Sequence, residues 1–447
     1  MNIRDSCIDW NSKIKDAIRL IELSEKKTIF VIDGDRFVGV INDGDARRGL
    51  LSGISEEDCL IKITNTDPIT DIETAKKRIE KTDARYILVP IVDKDRKLID
   101  CTVVTREGES KTNYAKYDRV LVIGGAGYLG SVLCRKLLKK GYHVRVLDVL
   151  LYGDDGIKDL YKDPRFEFNY GDMRDLQMLV RSLKDVDAVI HLAAIVGDPA
   201  SALEPIDTIQ SNYFATKMVA EVCKFAHISK FIFASTCSVY GASEDKRMLS
   251  EISKTNPVSL YADMKLKSEK ALLEMKDRSF KPIIFRMGTL HGISPRMRFD
   301  LVVNLLTIRA CQTNKFKIFG GEQHRAFCHV SDAADAYVKC LETSNSGITS
   351  TIYNLVSENM SIKELGELVK STTGAKMEVE DVTDLRNYIV CGIWGNVTFD
   401  LNHKMKIANT ITSIVKNMKK YKDFKDKKYS NVDHLKEAYV DGTKERF

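Results

Sequence analysis

No apolar run in this sequence is long enough to span a membrane, and the first residues lack the apolar core of a secretory leader. The expectation is therefore a cytoplasmic protein with no membrane partner. The ten cysteines are scattered and show no CxxC pair, which gives no basis for a zinc site or a disulfide framework. Free thiols of this kind suit a reducing compartment, and no metal is expected. Charge of one sign is not in large excess either: the formal net charge is +6 over 447 residues. Much of it lies in Lys416 to Lys428, which reads as a solvated helix face or tail. Aromatic interleaving and base-reading modules are missing, so nucleic acid is not an expected partner. What is present is ordinary for a folded chain, 44% hydrophobic and 30% charged, and long enough for two or three domains.

The strongest stretch runs from Arg119 to Lys140. Val120-Leu-Val-Ile123 reads as a buried parallel strand, Gly124, Gly127 and Gly130 follow at a spacing of three, and Ser131 to Lys140 reads as an amphipathic helix. Strand, glycine turn and helix form a dinucleotide fingerprint: the glycines let backbone approach a diphosphate, and the helix start offers free N–H groups. A second strand, Val144 to Asp148, ends in a carboxylate about 20 positions on, where a ribose needs an acceptor. Asp148 favours NAD over NADP, because it would repel a 2′-phosphate. Arg145 on the same strand is a weak counter-signal and reads as a surface charge.

Before this stretch, a helix–strand–strand unit occurs twice. Helix Ile14–Leu23 precedes strands Thr28–Asp33 and Phe37–Ile41, and helix Ile72–Ile79 precedes strands Tyr86–Asp93 and Leu98–Val104. Such a repeat makes a two-layer α+β domain over residues 1–110. The polar run Arg106 to Tyr117 reads as a linker, with the domain boundary placed at 111–117. Gly39-Val-Ile-Asn-Asp-Gly-Asp45-Ala-Arg47-Arg48 closes the first unit and resembles the pattern of CBS domains, in which a strand runs into Thr/Ser-x-x-Asp and a helix. Asn42 replaces the usual hydroxyl residue, and the second unit has no such run. Two readings stand side by side: a nucleotide-binding regulatory pair, with Asp45 on a ribose and Arg47 or Arg48 on phosphate, or a packing and dimerisation module with a charged helix start.

Beyond Asp148, the strand Ala188-Val-Ile-His191 leads into Leu192-Ala-Ala194, and Phe231 to Ser235-Thr236 forms another strand. In an open parallel sheet their C-terminal ends lie over the ligand. His191 reads as structural. Tyr261 and Lys265 stand four apart on a predicted helix and share a face. The ammonium can lower the phenol pKa, and the phenol can then take a proton from a substrate alcohol.

These pieces together resemble the extended short-chain dehydrogenase/reductase family, in its nucleotide-sugar epimerase/dehydratase branch, over residues 118 to about 410. The matching residues include Gly124-x-x-Gly-x-x-Gly130, Gly171-Asp172, His191-Leu-Ala-Ala194, Asn212, Ser235-Thr236, Tyr261-x-x-x-Lys265, Arg325 and Asp384-x-Arg386-x-Tyr388. The resemblance implies a doubly wound parallel Rossmann sheet at about 118–290 and a small C-terminal substrate lobe, mainly 291–410, in a domain running to 447. It implies NAD held by Gly124, Gly127, Tyr128, Leu129, Gly130, Asp148, Asp172, Met173, Leu192, Ala193, Ala194, Asn212, Ser235, Tyr261 and Lys265. Thr236, Tyr261 and Lys265 would form the hydride-transfer triad. Asp198, Thr289, Arg296, Arg298, Arg325 and Arg386 would meet a nucleotide-diphosphate sugar, and a homodimer is expected.

Typical 4,6-dehydratases of this branch carry an Asp-Glu pair after the position of Thr236. Here Cys237-Ser238 stands there, as small neutral residues do in 4-epimerases. Cys237 is a small apolar filler or an acid/base thiol. Asp198 is an acid/base candidate or a turn residue before Pro199, and His291 reads as packing. Arg296 and Arg298 meet phosphate or a sugar carboxylate, or simply pair with Asp300. The expected function is epimerisation through a transient keto-sugar; a dehydratase or ketoreductase is the alternative, and a non-catalytic nucleotide sensor the rival from another class.

Overall fold

The structure, a computed structural model, describes residues 6–24, 27–82, 86–105, 108–111, 119–228, 230–242, 248–277, 279–343, 347–382, 384, 386–421 and 423–440. The chain divides into two compact units, residues 1–116 with 342–347, and residues 117–341 with 348–447. Among the described residues no helix is long and apolar enough to cross a membrane.

The first unit holds two three-stranded sheets. Cys7–Asp9, Thr28–Asp33 and Arg36–Asn42 form one, and Tyr86–Val92, Leu98–Thr105 and Gly108–Lys111 the other. Helices Ile14–Leu23 and Ile72–Glu80 precede the two hairpins, where the sequence periodicity places them. Ile14, Ala17 and Ile21, on one helix face, bury against Ile29, Val31 and Ile41 of the first hairpin. The strand Gly108–Lys111 falls inside the stretch read as a linker and pairs with Leu98–Thr105. Residues 106–107 and 112–117 of that stretch lie outside the described residues. Asn42 accepts from the Asp45 amide at 2.9 Å, and Asp45 accepts from the Asn42 amide at 3.0 Å. This reciprocal cap starts helix Asp43–Leu51.

The second unit is built on a seven-stranded parallel sheet. Its elements are β1 (Arg119–Ile123), α1 (Tyr128–Lys139), β2 (His143–Asp148), β3 (Phe166–Tyr170), α2 (Leu176–Ser182), β4 (Ala188–His191), α3 (Ala215–Phe225), β5 (Lys230–Thr236), α4 (Leu260–Met275), β6 (Pro282–Met287), α5 (Val302–Thr313) and β7 (Ile352–Leu355). The strand order is β7-β6-β5-β4-β1-β2-β3. After Arg119, β1 is apolar because both faces are covered. Val120 and Val122 pack into one core with Leu133 and Leu137 of α1, while Leu121 and Ile123 pack into the other with Val219 of α3 and Leu272 of α4. The order reverses between β1 and β4, which opens a crevice at their C-terminal ends.

A lobe follows the sheet. Strands Thr289–His291, His324–His329 and Glu358–Ser361 form a small mixed sheet, Lys315–Phe319 pairs with Lys376–Glu380, and α5 packs with helices Ile362–Thr373 and Ile407–Asn417. The C-terminal stretch does more than its composition suggests. The lysines described there are exposed, but Phe424 is buried, and Tyr421 and Tyr429 pack edge-on to Phe299 at 5.0 and 5.2 Å. The reading of this stretch as free of aromatic interleaving is thereby corrected: the aromatics alternate with the lysines and face inward. A last helix, Asn431–Val440, buries Leu435 against Ile195 and Ala200.

Candidate active site

Two adjoining cavities share Tyr261, and both lie at the C-terminal edge of the sheet. The first follows the glycine turn. Gly124 has φ +85°, and a Cβ there would sit 2.6 Å from the Ala193 nitrogen. A Cβ on Gly130 would sit 2.5 Å from the Gly124 carbonyl oxygen, so the turn and α1 close-pack only without side chains. Gly124, Gly127, Tyr128, Leu129 and Gly130 line this cavity, and so do Asp148, Asp172, Met173, Leu192, Ala193, Ala194, Tyr261 and Lys265. Asp148 accepts from the amides of Ala126 and Leu150, both at 2.9 Å. Burial raises its pKa and those two donors oppose the rise. The set fits a dinucleotide: a backbone cradle for the diphosphate, a carboxylate at the end of β2 for a ribose, and Asp172 beyond it.

Two residues expected on the cofactor are elsewhere. Asn212 accepts from the Ile195 amide at 2.8 Å and donates to its carbonyl at 2.9 Å, so it holds the loop after β4 and does not line the cavity. Ser235 is absent from this cavity and lines the second one, with its hydroxyl turned inward to Glu269, because alternate residues of β5 face opposite sides of the sheet. Arg145 is not at the surface. It is buried, donating to the carbonyls of Ser182 and Lys184 at 2.9 and 2.6 Å and pairing with Glu167 at 2.8 Å, outside the cavity lining.

The second cavity lies between the sheet and the lobe. Asp198, Thr236, Ser238, Tyr261, Thr289, Arg298, Arg325 and Arg386 are all on its wall. Ser259 caps α4 by accepting from the Ala262 amide at 3.2 Å, which starts the helix two residues before Tyr261. Tyr261 hydrogen-bonds with Thr236; burial, then the Asp198 carboxylate, raises the phenol pKa, and the Arg298 guanidinium pulls it back. Lys265 is buried and donates to the Ala234 carbonyl at 2.8 Å. Desolvation takes its pKa down to about 7, partly offset by the Glu269 carboxylate. Arg298 thereby joins the groups that act on the phenol, a contribution the four-residue helix spacing does not show.

Arg296 is corrected in place: it lines the first cavity and is absent from the second, whereas Arg298 reaches both. Arg298 also makes the pairing with Asp300, at 2.9 Å from each of two nitrogens. Arg325 and Arg386 share Asp384, at 2.6 and 2.7 Å. Cys237 is corrected too. It lines neither cavity, donates to the Arg286 carbonyl at 3.3 Å, and has its pKa raised by burial. A thiol so placed is a filler, not an acid or base. His191 is buried against Thr216 at 3.0 Å and His291 against Thr410 at 2.8 Å, both structural. Residues the sequence did not point to are Tyr152 and Asn431 in the first cavity and Arg309, Lys317 and Val432 in the second. No local motif marks them, because each arrives from a loop or from a distant part of the chain.

A doubly wound parallel sheet with a dinucleotide cradle and a phenol shared with a second cavity defines a dinucleotide-dependent enzyme. A sequence profile described as the NAD dependent epimerase/dehydratase family matches residues 120–355. The chain belongs to that family, and its cofactor is NAD. It is 28% identical over 315 residues to the probable UDP-arabinose 4-epimerase 3 of Arabidopsis thaliana, covering 63% of this chain and 76% of that one. It is 29% identical over 276 residues to the UDP-glucose 4-epimerase of Lactobacillus helveticus, covering 57% and 82%. Among solved structures it resembles the UDP-glucuronic acid 4-epimerase of Bacillus cereus in complex with UDP-glucuronic acid and NAD, with 27% identity, a TM-score of 0.61 and coverage of 68% of this chain and 99% of that one.

Proposed function

We propose that this NAD-dependent nucleotide-sugar epimerase inverts carbon 4 of a UDP-linked sugar. One observation carries the choice between inversion and dehydration. The carboxylates lining the sugar-side cavity, among the described residues, are Asp198, Asp300 and Asp384, and each is paired with a guanidinium. Expelling water needs a free acid and base beside the carbon that loses its hydroxyl. Inversion needs neither, because the keto-sugar only has to turn over and be reduced on its other face. NAD, held along Gly124, Gly127, Asp148 and Lys265, would supply a reversible hydride acceptor for the sugar carbon. Thr236 holds the reacting hydroxyl, Tyr261 takes its proton and later gives it back, and Lys265 braces the ribose beneath. Arg325 and Arg386 meet the diphosphate, where planar guanidinium forks match two phosphate oxygens. The 4-epimerase relatives support UDP and carbon 4.

The test is product analysis by NMR and mass spectrometry on a panel of UDP-sugars with catalytic NAD. The expected product is the C4 epimer at unchanged mass, without net NADH. A product lighter by one water would make the enzyme a dehydratase. Tyr261→Phe should lower kcat by about 100-fold or more while sparing NAD binding.

For the first unit we propose a CBS-type pair, regulating the enzyme through a nucleotide and contributing to a homodimer. The two successive helix–hairpin repeats support it. The charged helix start is at present turned on itself, Asp45 holding Arg48 at 2.6 Å and Asp43 holding Arg47 at 2.7 Å. Calorimetry of the full chain with ATP and AMP should give heat that Asp45→Ala with Arg48→Ala abolishes; no heat would leave only the scaffold role.

A further inference from the structure

Arg296, Tyr152 and Asn431 all line the dinucleotide cavity, and the Arg296 guanidinium lies over the Tyr152 ring. Arg296 is 5% exposed and Asn431 3% exposed. Among the described residues, Arg296 Nε and Nη2, the Tyr152 hydroxyl and Asn431 Oδ1 have no hydrogen-bond partner. Buried polar atoms are nearly always paired, so these unpartnered atoms along the lining of one cavity mark it as a place for a polar ligand. The surroundings name its class. Gly156 is wedged between the Arg296 Cβ and the Ala126 carbonyl of the glycine turn, 2.9 and 2.8 Å from where its own Cβ would be. The guanidinium carbon lies 4.3 Å from the Tyr152 ring centroid, on the flank of the diphosphate cradle.

Asn431 reaches this wall from a segment far from the sheet in sequence. The segment is tied down on both sides of it. Upstream, Tyr421 and Tyr429 pack on Phe299, and the Phe299 amide donates to the Tyr429 carbonyl at 2.8 Å. The Asn431 amide donates to Asp300 at 3.1 Å, and downstream Leu435 is buried on the loop after β4. Asn431 therefore faces the dinucleotide cavity while its neighbour Val432 faces the sugar cavity.

We propose that the C-terminal segment is a strap across the bound dinucleotide, Asn431 accepting from a ribose hydroxyl beside the diphosphate held by Arg296. This rests on the NAD dependence of the family. An epimerase reduces and reoxidises one cofactor within a turnover, so a strap that keeps it resident serves the reaction.

The test is NAD content after gel filtration, and NAD affinity by calorimetry, for the full-length protein, Asn431→Ala and a chain ending at Ser430. Wild type should retain NAD and both variants lose it, with Kd for NAD about tenfold weaker in Asn431→Ala, the worth of one good hydrogen bond, and Kd for UDP unchanged. Asn431→Ala keeps the Leu435 anchor, so it decides the matter even where the shortened chain does not fold. Equal retention and affinity in wild type and Asn431→Ala overturns the strap alone; a wild type that binds no dinucleotide overturns the NAD reading with it. If Arg296→Ala weakens NADP and not NAD, the guanidinium serves a 2′-phosphate, and the diphosphate assignment falls.

Discussion

Asp198 accepts from Arg386 Nη1 at 2.7 Å, and its other oxygen accepts from Ser259 at 2.6 Å. One carboxylate thereby ties a substrate-side guanidinium to the residue that caps the Tyr261 helix. Asp198→Ala should let Arg386 drift while Asp384 still holds it. The expected result in steady-state kinetics is a KM for the nucleotide sugar raised about tenfold with a smaller change in kcat. A collapse of kcat at unchanged KM would instead put Asp198 at the reacting carbon.

Lys265 gives a pH signature. Its folded pKa is about 7, against 10.5 for the ordinary ammonium. Between those values the unfolded chain binds more protons than the folded one, so this group's contribution to stability rises with pH through that window. Below it, the folded state carries a buried charge at full cost. Lys265→Met should therefore be stabilised relative to wild type near pH 7, and the gain should shrink as pH approaches 10. Melting of cofactor-stripped protein at both pH values checks this, and a gain that grows with pH would contradict it.

Glu269 and Arg286 form a buried ion pair at 2.6 Å, with side chains 1% and 5% exposed. Ser235 and Tyr240 bond into the same network. Glu269→Ala leaves a guanidinium buried without its charge partner and should cost about 3–5 kcal/mol in denaturant unfolding. Replacing both residues, Glu269→Leu with Arg286→Met, should cost less than the single change, because no charge is stranded.

Cys237 sits one residue after Thr236, yet its thiol is sealed in a core with Tyr240, Tyr388 and Val390. Cys237→Ala should keep kcat within about threefold of wild type while lowering stability by about 1 kcal/mol, the usual cost of a small core truncation. A drop in kcat without a drop in melting temperature would return the thiol to the chemistry.

By itself the sequence determined everything that depends on short-range pattern. The apolar run of β1, the glycine spacing, the carboxylate closing β2 and the four-residue step from Tyr261 to Lys265 are each legible, because strand, turn and helix have fixed local periods. The placement of Ile14–Leu23 and the start of the helix at Ile72 follow from the same periods and agree with the observed helices. Tertiary structure decided where side chains in loops and at strand ends go. Arg296 and Arg298 are two residues apart, yet only Arg298 reaches the sugar cavity, because Asp300 holds it there. Ser235, Asn212 and Cys237 carry the right chemistry at the right sequence positions, but partners 17 to 49 residues away claim their polar atoms. Asn431 and Val432 enter the site only because Tyr421, Tyr429 and Leu435 find apolar partners elsewhere in the fold. Contacts between segments far apart along the chain leave no periodic trace in either segment, so only the folded molecule displays them.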